Sequence, residues 1–195
     1  MRKIVIAGCV IMGLFSLFLV LETTFAAEQK TADGKKAMID RGLYLVTVGG
    51  CNDCHSPKKM TPNGPAPDEA RLLSGHPANE KLPEVPPNIF GPDKWGAITN
   101  NNLTGWVGPW GTSYSSNLSP DPNTGTGAWN EELFIRILRT GKFMASGRDI
   151  LPPMPWNEIA KLTDTDLKAI FAYLKSLKPV KNQVPAPVLA PPPQR

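Results

Sequence analysis

Apolar and polar residues follow a helical period in three segments of the chain. The first segment runs from about Gly34 to Val48, with Asp33 as a candidate cap, and ends at Gly49-Gly50. The second begins after Asn130, a residue type that caps helices, and ends before Gly141. The third begins after Thr163, and Pro179 terminates it. The pattern predicts three amphipathic helices and an all-α fold.

Residues 56–128 lack a sustained period of either kind. They are rich in proline, glycine and asparagine, and they contain three of the five tryptophans: Trp95, Trp106 and Trp110. A disordered linker rarely carries so many large aromatic side chains. We therefore expect an ordered, loop-rich layer that packs on something apolar.

The first residues have the layout of an export signal. Arg2 and Lys3 precede an uncharged stretch from Ile4 to Leu21, and small residues precede a cleavage point after Ala26. This stretch would rise about 27 Å as a helix, close to the roughly 30 Å hydrocarbon core of a membrane, so an uncleaved anchor is the alternative. The sequence thus predicts a signal peptide over 1–26, one domain over 27–183 and an extended, mobile, proline-rich tail over 184–195. In either case the domain is exported.

The charge and the cysteine content reduce the number of possible functions. A net charge of +4 is too small, and too evenly spread, to indicate a nucleic-acid partner. Removal of the leader, which contains Cys9, leaves Cys51 and Cys54. In an oxidising compartment a disulfide would be the default expectation. The histidine that directly follows Cys54 changes that expectation.

Cys51-Asn52-Asp53-Cys54-His55 is the strongest chemical signal in the chain. Two thiols at this spacing can add to the two vinyl groups of haem, and a histidine in the next position can ligate the iron. A redox-active dithiol of the thioredoxin type needs no histidine there and follows a strand, whereas a helix is predicted here. The motif predicts one covalently attached haem c, with a dithiol oxidoreductase without haem as the weaker alternative.

Met154 is the best candidate for the second axial ligand of the iron. It lies in Leu151-Pro152-Pro153-Met154-Pro155-Trp156, where prolines on both sides stiffen a loop between two helices. Met144 is the runner-up, and His76 is expected to be a loop histidine near the surface. Met60 is too close to His55 to reach the opposite haem face, and Met38 lies on the first helix. An iron without a second protein ligand would instead suit an open-site haem enzyme or a gas sensor.

With these motifs in place, the chain resembles a class I c-type cytochrome over about residues 33–180. The approach Gly42-Leu43-Tyr44-Leu45, the run Asn117–Asp121, the Thr-Gly-x-Gly-x-Trp run that ends at Trp129 and the methionine loop are similar to cytochromes associated with bacterial periplasmic dehydrogenases. The resemblance implies a class I cytochrome c fold with a long loop-rich insertion. It also implies that the first and last helices cross, with Gly42 and Tyr44 facing Tyr173 and Leu174.

The expected function is electron transfer in the periplasm by a single haem with His55 and Met154 as axial ligands. The chain would be an electron carrier rather than an enzyme, either a shuttle or the haem subunit of a dehydrogenase. Its partners would be a dehydrogenase as donor and an oxidase or another cytochrome as acceptor, with membrane contact only if the leader is uncleaved. The two ligands are about 99 positions apart, and the sequence leaves the role of the intervening insertion open.

Overall fold

The computed structural model describes residues 28–191. The predicted signal peptide and the last four residues of the tail lie outside the described residues. The chain divides into two units, Met1–Met38 and Ile39–Arg195. The described part of the first unit, residues 28–38, is helical. No helix within residues 28–191 combines the length and the apolar character needed to cross a bilayer.

The predicted helices are present. Helix α1 covers residues 28–48, so Asp33 lies inside it and the expected start at this residue is wrong. Helix α2 (Cys51–His55) follows at once, and α3 (Glu131–Thr140), α4 (Trp156–Ile159) and α5 (Asp164–Ser176) come late in the chain. The predicted caps are confirmed, since Asn130 accepts the Leu133 N–H at 2.8 Å and Thr163 accepts the Asp166 N–H at 3.1 Å.

The all-α expectation is wrong for the insertion, which contains short strands. Strands β1 (Lys58–Thr61) and β2 (Gly64–Pro67) form a hairpin. Strands β3 (Ile98–Thr99), β4 (Gly105–Gly108), β5 (Gly111–Tyr114) and β6 (Val188–Leu189) form an antiparallel sheet in that order. Strands of two to four residues are too short to show a two-residue period in the sequence.

The proline-rich tail joins this sheet. Its described part contains β6, in which Val188 pairs with Thr112 of β5. The backbone N–H of Ala190 also donates to the carbonyl of Trp110 at 3.0 Å. The tail is therefore the edge of the sheet rather than a segment apart from the domain.

The hydrophobic core lies between α1, α3 and α5. Phe134 of α3 stacks on Phe171 of α5 with ring centroids 5.2 Å apart. The other buried members of this cluster are Val46, Leu73, Leu138, Leu167, Ile170 and Leu174. Buried Leu73 belongs to the insertion, and half-buried Leu118 packs against the cluster from the same region, which confirms that the insertion is ordered and lies on apolar side chains.

Helices α1 and α5 touch at Gly42. A Cβ atom at this position would collide with the carbonyl group of Ala169 and would lie 2.7 Å from the Cβ of Tyr173. The predicted contact is confirmed for Gly42 and Tyr173 but is wrong for Tyr44, whose side chain is 57% exposed. Arg41 Nε and Asp166 Oδ1 form an ion pair of 2.9 Å between the same two helices.

Candidate functional site

The Cys-x-x-Cys-His motif forms the whole of α2. Gly50 precedes it with a φ of 63°, in the left-handed region that glycine adopts without strain, so the chain turns directly from α1 into α2. The thiols of Cys51 and Cys54 are half-buried and are not joined to each other. Burial is the main cause that raises the pKa of both thiols. The motif therefore presents two neutral, unbonded thiols on one short helix.

The imidazole of His55 is fixed in one tautomer by a backbone carbonyl. Its Nδ1 lies 2.8 Å from the carbonyl oxygen of Ser116, and because a carbonyl only accepts, Nδ1 carries the proton. Burial lowers the pKa of His55, which keeps the ring neutral. Nε2 has no hydrogen-bond partner among the described residues, so its lone pair is free for a metal. A histidine ligand oriented through its other nitrogen is typical of metal centres.

Two segments of the insertion place the Ser116 carbonyl beside His55. The backbone N–H of Gly75 donates to the His55 carbonyl at 2.7 Å, and that of His76 donates to the Ser115 carbonyl at 2.9 Å. Gly75 has a φ of 78°, and a Cβ atom there would lie 2.5 Å from the Ser115 carbonyl oxygen. Only glycine allows this approach. The roles of Gly75 and Ser116 were not predictable from the sequence, because a backbone carbonyl leaves no signal in the side-chain pattern.

Lys58 binds the carbonyl groups at the end of α2. Its Nζ donates to the carbonyl oxygens of Ser56, Asp53 and Asn52 at 2.6, 2.8 and 3.1 Å. Partial burial lowers the pKa of Lys58, whereas the charge of Asp53 acts in the opposite direction. A cation at the carboxyl end of a helix satisfies carbonyls that have no partner within the helix. Nothing in the sequence distinguishes Lys58 from the other lysines of the chain.

The methionine loop, residues 151–155, is held from both sides. Met154 is half-buried and precedes α4. On one side, the Ser113 hydroxyl of β5 donates to the Pro152 carbonyl at 2.6 Å. On the other side, the ring of Trp156 packs closely against Gly141 at the end of α3. A Cβ atom on Gly141 would lie 2.5 Å from Cζ2 of Trp156. The sheet and the end of α3 together position this loop.

The other candidate ligands have different surroundings. Met60 and Met144 are 80% and 43% exposed. His76 is fully buried, so the expectation of a loop histidine near the surface is wrong. Its ring nitrogens lie 3.0 Å from Thr104 Oγ1 and 3.1 Å from the Glu80 carbonyl, and Tyr114 packs against the ring. Because both ring nitrogens are hydrogen-bonded, the imidazole of His76 connects loops of the insertion.

The donor set of α2 fits haem c. Two free thiols at the attachment spacing and a neutral histidine with an open Nε2 are what covalent attachment and iron ligation require. Within residues 28–191 no group of three or more histidine, cysteine or acidic side chains is arranged to hold a bare metal ion. Met154 supplies a thioether on a separately anchored loop.

Comparison with known proteins points to the same class of molecule. No protein-family model matches the chain. The chain is 40% identical over 156 residues to the cytochrome c subunit of alcohol dehydrogenase (quinone) from Gluconobacter oxydans, a match that covers 80% of this chain and 25% of the relative. It is 38% identical over 166 residues to the fructose dehydrogenase cytochrome subunit of Gluconobacter japonicus, covering 82% and 26%. It is 29% identical over 157 residues to the gluconate 2-dehydrogenase cytochrome c subunit of Pantoea cypripedii, covering 80% and 27%.

The chain therefore spans about a quarter of the length of these curated relatives. All three are named as cytochrome subunits of dehydrogenases. The predicted resemblance is confirmed: this chain is similar to the cytochrome c subunits of dehydrogenases.

Proposed function

We propose that this chain is an exported, periplasmic electron carrier with one haem c. In this proposal Cys51 and Cys54 attach the haem covalently, and His55 and Met154 are the axial ligands of its iron. The observation that carries the proposal is the arrangement of α2, in which two unbonded thiols precede a neutral histidine whose Nε2 is free. Haem c, when bound, supplies a one-electron iron couple.

The residues of the chain would set the properties of that couple. His55, held by the Ser116 carbonyl, keeps Nε2 directed to one position. A methionine ligand favours the ferrous state relative to a second histidine and so raises the reduction potential. The Lys58 ammonium beside the motif acts in the same direction, because a nearby positive charge opposes oxidation.

The similarity to dehydrogenase cytochrome subunits supports a role as the haem subunit of a dehydrogenase rather than as a free shuttle. A dehydrogenase would then donate the electrons, and an oxidase or another cytochrome would accept them. The chain itself would carry electrons and leave the oxidation of the substrate to its partner.

The proposal is tested on the protein purified from a host that matures c-type cytochromes. We expect intact mass and pyridine haemochrome spectra to give one haem per chain, and the oxidised protein to show the weak far-red band of an iron–methionine bond. Replacing Met154 with Leu should abolish this band and lower the reduction potential by roughly a hundred millivolts or more, within the range of about 0.8 V that axial ligands span. The matched variant Met144→Leu should retain both.

Other outcomes would assign a different function. Loss of the far-red band in Met144→Leu alone would make Met144 the ligand. A wild-type protein without this band that binds carbon monoxide readily would be an open-site haem enzyme or a gas sensor. A colourless protein from the same host would favour a dithiol oxidoreductase.

A further inference from the structure

One short stretch of the insertion contacts both segments that carry the proposed iron ligands. At its beginning, Ser113 of β5 donates a hydrogen bond of 2.6 Å from Oγ to the carbonyl oxygen of Pro152, two residues before Met154. At its end, the carbonyl oxygen of Ser116 accepts the His55 Nδ1–H at 2.8 Å. Three peptide units thus separate the contact to the methionine loop from the contact to the histidine.

The Ser113 hydroxyl makes two hydrogen bonds, one as an acceptor and one as a donor. Trp110 Nε1 donates to Ser113 Oγ at 3.2 Å, and an indole nitrogen can only donate. The single hydroxyl hydrogen is therefore left for the Pro152 carbonyl. Ser113 itself is only 7% exposed, and both hydrogen bonds of its Oγ are made to protein groups.

The stretch has little freedom to move, because β5, the strand in which it begins, is paired along both edges. Within β5, Ser113 is opposite Trp106 of β4, and Thr112 is opposite Val188 of β6. Just beyond the strand, the Ser115 N–H donates to the Thr104 carbonyl at 2.8 Å. A strand with neighbours on both edges can move little without breaking several backbone hydrogen bonds.

We propose that Ser113 is a positioning residue for Met154. Through the Pro152 carbonyl it sets where the methionine loop lies relative to the same stretch that holds His55. This gives the insertion a role, which is to define the separation between the two ligand-bearing segments. The inference rests on the proposed ligation by His55 and Met154.

The test compares Ser113→Ala, which removes the hydroxyl, with Ser113→Thr, which keeps it and suits a strand. Thr112→Val is the matched control, since Thr112 contributes backbone pairing next to Ser113. The probe is imidazole, added to the ferric holoprotein, because it competes with the thioether for the iron. We expect Ser113→Ala to raise the apparent imidazole affinity about two- to tenfold, as for the loss of one hydrogen bond, and to weaken the far-red band. Ser113→Thr and Thr112→Val should behave as the wild type.

The melting temperature of Ser113→Ala distinguishes a loss of Met154 positioning from a general loss of stability. Pro152 is exposed, so water can replace the lost hydroxyl and the melting temperature should change little. If Ser113→Ala does not fold, Ser113→Val, which has the shape of Ser113→Thr but lacks the hydroxyl and suits a strand, must raise imidazole affinity in the same direction. Unchanged affinity in whichever of these variants folds would overturn the positioning role.

The same measurements distinguish a refutation of the positioning role of Ser113 from a refutation of the proposed ligation by Met154. If Met154→Leu abolishes the far-red band while Ser113→Ala leaves both the far-red band and the imidazole affinity unchanged, only the positioning role is refuted. If the wild-type protein has no such band, the proposed ligation is refuted and the inference with it.

Discussion

At the scale of single residues, Lys58 places a positive charge at the end of the haem motif, where its Nζ binds three carbonyl groups at the end of α2. We predict that Lys58→Met lowers the reduction potential, because it removes a positive charge that favours the ferrous state. The expected shift is on the order of tens of millivolts at an effective dielectric constant near 20. Voltammetry would measure it, and it should persist at high salt because a partly buried charge is poorly screened.

Lys59→Met is the control for this prediction, since Lys59 is exposed on the same strand and has the same charge. Its shift should be smaller and should vanish in salt. Equal shifts for the two variants would mean that only the net charge of the surface matters, and that the position of Lys58 does not.

The residues of the site differ in how well the sequence indicated them. Cys51, Cys54 and His55 were predictable because haem attachment fixes both the residue types and their spacing. Lys58 and Ser116 were not, because lysines are common on surfaces and every residue has a carbonyl. Their roles depend on which segments meet after folding.

At the scale of elements, α1 and α5 pack through the close approach at Gly42. We predict that Gly42→Ala lowers the free energy of unfolding of the holoprotein by about 1–3 kcal/mol, because the added methyl group meets the Ala169 carbonyl and the Tyr173 side chain. Urea denaturation followed by circular dichroism would measure this change.

Gly34 gives the matched comparison with the opposite sign. It is helical, and a Cβ atom there would have no neighbour within 4 Å. Gly34→Ala should therefore leave stability unchanged or raise it by up to about 1 kcal/mol, since alanine loses less conformational freedom in a helix. If both variants are destabilised alike, the contact at Gly42 is not what holds the two helices together.

The long elements could be predicted from the sequence, whereas the short ones could not. Helices α3 and α5 carry several turns of periodic apolar residues and side-chain caps, so a local signal defines them. The strands of the insertion have two to four residues, and β5 pairs with β6 from the far end of the chain. Such pairing depends on tertiary contacts that no local window contains.

At the scale of the whole molecule, Asn182 joins the segment between α5 and the tail to the loops beside the haem motif. Its Nδ2 donates to the carbonyls of Ser74 and His76 at 2.7 and 2.8 Å, and its Oδ1 accepts the Ala78 N–H at 2.9 Å. The turn between these carbonyls contains Gly75, whose N–H binds the His55 carbonyl. The sequence around Asn182 gave no sign of this connection, because the partners of Asn182 lie more than one hundred residues away in the sequence.

We predict that Asn182→Ala lowers the free energy of unfolding by about 2–3 kcal/mol, because Ser74 and His76 are buried and their carbonyls would lose a partner that water cannot easily replace. Amide hydrogen exchange should also become faster at Gly75 and His76, whose N–H groups bind the segments that hold His55. Gln183→Ala, at the exposed next position, should change neither quantity. A stability of Asn182→Ala equal to that of Gln183→Ala would show that the segment after α5 lies on the domain without supporting it. Faster exchange confined to residues 180–191 would show that the support from this segment does not reach the turn beside His55.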